Sequence, residues 1–129
     1  MILPTHQLAM PLAEVADRYT IAVLKQGRLP DENQASLRAQ VAFYASGLEP
    51  HGEELQQLID QLFEINTLIW DAEHAIRKGL EDDLALDEIG RRALTIRDLN
   101  RSRITIKNAI SSLDGHPEFH DVKMNHASA

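Results

Sequence analysis

The chain has 129 residues, with 13 Lys and Arg against 20 Asp and Glu, a formal charge of −7, and no cysteine. These numbers exclude disulfides, thiolate zinc sites and cysteine nucleophiles, and they argue against general binding to a phosphate backbone. With 43% hydrophobic and 26% charged residues, the composition is that of one folded domain with a real core.

No apolar run approaches the roughly 20 residues that a membrane span needs. Residues 1–10 lack the basic start and the apolar run of a secretory signal. The expectation is a soluble, cytoplasmic protein with no membrane partner.

In chain order, Pro11 suits a first helical position, and the helix after it is expected to run to about Gln26 and stop at Gly27. Asp31, three residues before Gln34, reads as the start of a second helix ending near Gly47. Glu49-Pro50-His51-Gly52 marks a turn or a further start. A long periodic segment follows from about Glu53 to Lys78, stopped by Gly79. After an acidic connection, a second long segment runs from about Asp87 to Leu113 and ends at Asp114-Gly115. Residues 116–129, with Pro117 and no helical period, read as an irregular tail behind a helical domain spanning 1–115. The β-branched runs around Ile21 and Ile104 lie inside longer helical periods, so length decides for helix. The fold class expected is all-α: two short and two long helices, dominated by an antiparallel hairpin of the long pair.

The third helix carries a heptad-like seam: Leu55, Leu58, Leu62, Ile65, Ile69, Ala72 and Ile76, widened by Ile59, Phe63 and Trp70. Asn66, Glu73 and Arg77 fall inside this apolar sector. In the fourth helix, Ile89, Ala93, Ile96, Leu99, Ile106, Ile110 and Leu113 define the sector, and Asn100, Arg103 and Lys107 project into it. Buried charges without partners are costly, so these groups need either partners or a water-filled cleft. Two readings follow. One is a structural polar network that fixes helix register. The other is a site for an anionic small molecule, with Arg103 and Lys107 as clamp, Glu73 as general acid or base, and Asn66, Trp70, Arg77 and Asn100 shaping the pocket.

A hairpin folded around residue 83 sets Asn66 level with Asn100. It also leaves Glu73 roughly 15 Å along the axis from Arg103, at about 1.5 Å per residue. Glu73 is then nearer Arg77 or Arg92, and the inward cations need acids from elsewhere. Glu14 and Asp17 of the first helix are the candidates. On spacing alone, Glu14 and Arg18 read as a solvated i,i+4 pair whose face Lys25 continues.

Other chemistry is thin. His116, Glu118, His120, Asp121 and His126 cluster in the tail, but Pro117 rules out a regular helical zinc motif there, and no metal or cofactor is expected. Asp71-x-x-His74 looks like half of a di-metal motif that the fourth helix does not complete. Arg91, Arg92, Arg97, Arg101 and Arg103 are interleaved with acids and few aromatics, an ordinary charged helix and not a nucleic-acid face. The broad apolar sectors of the long helices, with two short helices to cover them, point to a homodimer.

Several stretches resemble a bacterial family of small helical domains of unknown function. Pro11-Leu12-Ala13-Glu14-Val15-Ala16-Asp17-Arg18-Tyr19-Thr20-Ile21 is similar to its opening. Asn66-x-x-Ile69-Trp70-x-x-Glu73-x-x-Ile76-Arg77 is similar to its central motif. Asp98-Leu99-Asn100-x-x-Arg103-x-x-Ile106-Lys107 is similar to its last-helix motif, and Phe119-His120-Asp121-Val122-Lys123 to its terminal segment. The resemblance implies a small helical protein, some relatives being encoded near surface-polysaccharide genes. It implies no activity, and it transfers no role to His120 or His126. It is the polar-network reading of the residues that makes the chain an accessory or interaction protein.

Overall fold

The computed structural model describes residues 10–81 and 83–121, without the side chains of Pro50, Leu80 and Glu81. Four helices follow one another: α1 (Leu12–Arg28), α2 (Gln34–Leu48), α3 (Gly52–Glu81) and α4 (Leu86–Leu113), with single 3-10 turns at Glu49–His51 and Pro117–Phe119. The all-α expectation holds, and α3 and α4 form the densest pair.

The helix ends have local causes. The Pro11 carbonyl accepts from the Glu14 and Val15 amides, so Pro11 precedes the helix and does not open it. The second helix is capped by Asn33, whose Oδ1 accepts from the Ser36 amide at 3.1 Å, not by Asp31 as its spacing suggested. Gly52, at φ +76, turns the chain sharply into α3. Gly115, at φ +77, ends α4 while the His116 amide reaches back to the Ser111 carbonyl. Gly79 does not stop α3. It is buried in the helix, where an added Cβ would sit 2.7 Å from Leu84 Cδ2, so its role is close packing at the hairpin turn.

Helix α1 lies in the groove of the α3–α4 hairpin. It runs parallel to α3, since Leu12 packs with Leu55 while Arg28 bonds Asp71 at 2.5 Å. The core of Leu12, Ala13, Ala16, Leu55, Ile59, Leu62 and Ile110 gathers at the end where α1 and α3 begin and α4 finishes. Helix α2 packs chiefly on α1, its Leu48 reaching the edge of the core; only its Leu37 is buried, and Phe43 is 70% exposed.

Length then controls the rest. At about 1.5 Å per residue, α1 spans about 25 Å and α3 about 45 Å. Helix α1 therefore covers only part of α3; Glu73 and Arg77 are exposed although their period places them on the inward face, and Glu73 borders a cleft beside Ile21 and Leu24 of α1. Ala93 and Leu113, both expected in the apolar sector, are exposed as well.

Candidate functional site

The inward polar residues meet where α1 crosses the hairpin. Asp17 sits on the same face as Ala13 and Ala16 and is only 3% exposed. Arg103 grips it with two nitrogens: Nε donates to Oδ1 at 3.1 Å, and Nη2 donates to Oδ2. Such bidentate pairing is the strongest arrangement open to a guanidinium and a carboxylate. Asn66 Nδ2 donates to Asp17 Oδ1 at 2.9 Å and to Thr20 Oγ1 at 2.8 Å. Thr20 in turn donates to its own helix at the Asp17 carbonyl, 2.8 Å away. No buried side-chain nitrogen or oxygen among the described residues lacks a partner, as buried polar groups require.

One turn along α4, Lys107 is held by two carboxylates. Its Nζ lies 2.6 Å from Glu14 Oε1 and 3.1 Å from Asp121 Oδ2. Asp121 is anchored by backbone: its amide donates to Asn108 Oδ1 at 2.7 Å, and Asn108 Nδ2 donates to its carbonyl at 3.1 Å. The start of the tail therefore folds back over α4. Residues 122–129, with His126 and the last two residues of the terminal resemblance, lie outside the described residues.

The electrostatics follow the geometry. The hydrogen bonds to Asp17 hold the Arg103 guanidinium above its ordinary pKa, against the opposing effect of burial. Burial alone would lower the Lys107 ammonium, but its bonds to Glu14 and Asp121 outweigh that and raise it. Both cations remain charged, and both are answered from within the chain.

A shallow cleft of about 190 Å³ lies beside this network, lined by Ile21, Leu24, Asn66, Ile69, Trp70, Glu73, Asn100 and Arg103. It brings together Asn66, Trp70, Glu73, Asn100 and Arg103. Asn66 and Asn100 thus share one level of the hairpin, the register expected from a turn at residue 83; Arg92 Nη1, donating to the Ala75 carbonyl at 3.0 Å, fixes the same register. Arg77, Lys107, Glu14 and Asp17 do not line the cleft. Glu73 and Arg77 form no ion pair with each other or with any other described residue, and Arg92 instead bonds Glu88.

Glu14 pairs with Lys107 across 93 positions, not with Arg18, which is exposed. Sequence reasoning missed Thr20 and Asn108. Thr20 had a readable signal: it stands three residues after Asp17 on the Ala13–Ala16 face. The arginines of α4 are largely answered locally, Arg91 and Arg92 by Glu88, Arg97 and Arg101 by Asp98. At the end of α4, Ser112 Oγ lies 2.8 Å from His120 Nε2, and His116 Nδ1 lies 2.7 Å from Glu118 Oε1. Both pairs are exposed. Among the described residues no three metal-binding side chains converge, and no helix is long and apolar enough to cross a membrane.

No family model, curated protein or solved structure matches the chain.

Proposed function

We propose that the chain is a helical interaction protein, accessory to other machinery, whose inward charges lock α1 into the hairpin. One observation carries this reading: each inward cation is matched by carboxylates of the same chain, Arg103 by Asp17 and Lys107 by Glu14 and Asp121. A clamp for an anion needs unsatisfied positive charge. Here the positive charge is spent on holding three segments together.

The alternative, an enzyme or binder that takes an anionic metabolite between Arg103 and Lys107, draws support from the cleft beside Arg103. Its charge balance counts against it. The guanidinium is neutralised by Asp17, Glu73 adds a negative charge, and Lys107 is outside the lining. An anion would enter a wall that is net negative.

The test is the melting temperature of the full chain in millimolar phosphate, sulfate and short dicarboxylates at matched ionic strength. The interaction reading expects no specific rise. A saturable rise that depends on which anion is added would favour the metabolite reading, because a ligand that binds only the folded state must stabilise it.

A further inference from the structure

The cleft beside Arg103 holds polar groups that the bundle does not use. Asn66 and Arg103 are committed to Asp17. Glu73 and Asn100 are not: among the described residues neither side chain makes a hydrogen bond or an ion pair. Asn100 is half-buried, and since no buried side-chain nitrogen or oxygen lacks a partner, its free amide reaches solvent. Asp17 cancels the Arg103 guanidinium, so the Glu73 carboxylate sets the sign of the cleft. The remaining lining is apolar: Ile21 and Leu24 of α1, Ile69 and Trp70 of α3. At about 190 Å³ the cleft is smaller than the ~300–1,000 Å³ of sites for drug-sized ligands, which suits a small molecule or a single side chain.

We infer that this cleft takes a primary ammonium group on a short alkyl stem, supplied by a free amine or by a lysine side chain of a partner. Each part of the lining then has a task. The Glu73 carboxylate accepts one ammonium N–H, and the amide oxygen of Asn100 accepts another. The stem lies against Ile21, Leu24 and Ile69, and the Trp70 ring adds the attraction of an aromatic face for a cation. Two other ligands fit less well. An anion meets the Glu73 carboxylate. A bare metal cation finds one carboxylate only, and no three metal-binding side chains converge among the described residues. The inference goes beyond the interaction reading, which the anion series tests on its own.

The experiment uses a reporter that the chain already carries. Trp70 is its single tryptophan, so tryptophan emission reads this cleft alone. The full chain is titrated with n-butylammonium chloride, replacing sodium chloride at constant ionic strength. The expected result is a saturable change in emission in the millimolar range, with a rise in melting temperature over the same range. n-Butanol, which has the stem without the charge, should give neither. Glu73→Gln keeps the shape and removes the charge, and it should weaken butylammonium by about tenfold or more, as loss of a hydrogen bond to a charged group does. Glu73 is exposed, so the variant should fold. Glu64→Gln, exposed and outside the lining, should bind as the wild type does. The peptide acetyl-Ala-Lys-Ala-amide separates the two sources: tighter binding than butylammonium assigns the cleft to a partner's lysine, and equal or weaker binding assigns it to a free amine. A wild type that answers neither probe overturns the inference. So does butanol matching butylammonium, or a Glu73→Gln variant that binds as tightly as the wild type. None of these outcomes bears on the anion titration.

Discussion

Arg103 of α4 and Asp17 of α1 stand 86 positions apart in sequence and meet through two hydrogen bonds at the centre of the bundle. Asn66 of α3 adds a third strut to the same carboxylate. Three helices are thus tied to one buried acid. An apolar groove would let α1 slide or rotate by a turn at little cost. A buried pair with bidentate geometry permits one register only.

Removing the struts one at a time should rank them. Asn66→Ala leaves Thr20 without its donor and Asp17 with one fewer. The expected loss is about 1–3 kcal/mol of unfolding free energy, the range for a buried polar group deprived of its partner. Urea denaturation measures it. A change within experimental scatter would mean that Asn66 is incidental to the lock.

The Arg28–Asp71 pair offers a control of matched chemistry. It also joins α1 to α3, but its side chains are 42% and 50% exposed. A double-mutant cycle there should return less than about 1 kcal/mol, because water and salt screen an exposed pair. Values for this pair equal to those of the buried one would show that burial is not what gives the Asp17 network its weight.

Glycine substitutions should act in opposite directions in the two long helices. Gly90 has nothing within 4 Å of an added Cβ, so Gly90→Ala should gain about 1 kcal/mol of helix propensity. Gly79→Ala would put its methyl 2.7 Å from Leu84 Cδ2 and 3.1 Å from Leu84 Cβ, and the hairpin turn must yield. Its propensity gain is expected to be lost to overpacking, leaving a net destabilisation. Thermal melts of the two variants check the sign.

Lys107 sets a pH dependence. Its partners hold its folded pKa above the ordinary 10.5, so its contribution is fully present below that value and is lost as pH rises through the folded pKa. The stability difference between wild type and Lys107→Met should stay constant from neutral pH to about 10 and shrink above it. A difference already shrinking between about pH 7 and 9 would mean that burial, not the carboxylates, dominates at this site.

Much of this was readable from residue order, and what was not has particular causes. The helices, the hairpin register and the demand of Arg103 and Lys107 for acids on α1 all follow from period and spacing. Which acid serves which cation needed the structure, and Glu14 was masked by its i,i+4 neighbour Arg18. Glu73 and Arg77 carry an inward period but are exposed, Glu73 on the border of the cleft beside α1, and no pattern within α3 records how closely α1 covers it. Asp121 has no period at all. It is held by its own backbone against Asn108, a contact to which side-chain spacing is blind. The second-helix cap was misplaced by two residues because Asp31 and Asn33 are both good caps, and the Ser36 amide chose the latter.

A bundle locked by its inward cations must lose stability when one of them is removed alone. The most direct measurement is the unfolding free energy of Arg103→Leu beside that of the double variant Arg103→Leu/Asp17→Leu. The single change strands the Asp17 carboxylate in the core and should cost about 3 kcal/mol or more, while the double change removes both charges and should recover most of that loss. If Arg103→Leu is as stable as the wild type, or more stable, Asp17 does not depend on Arg103, and the lock is contradicted.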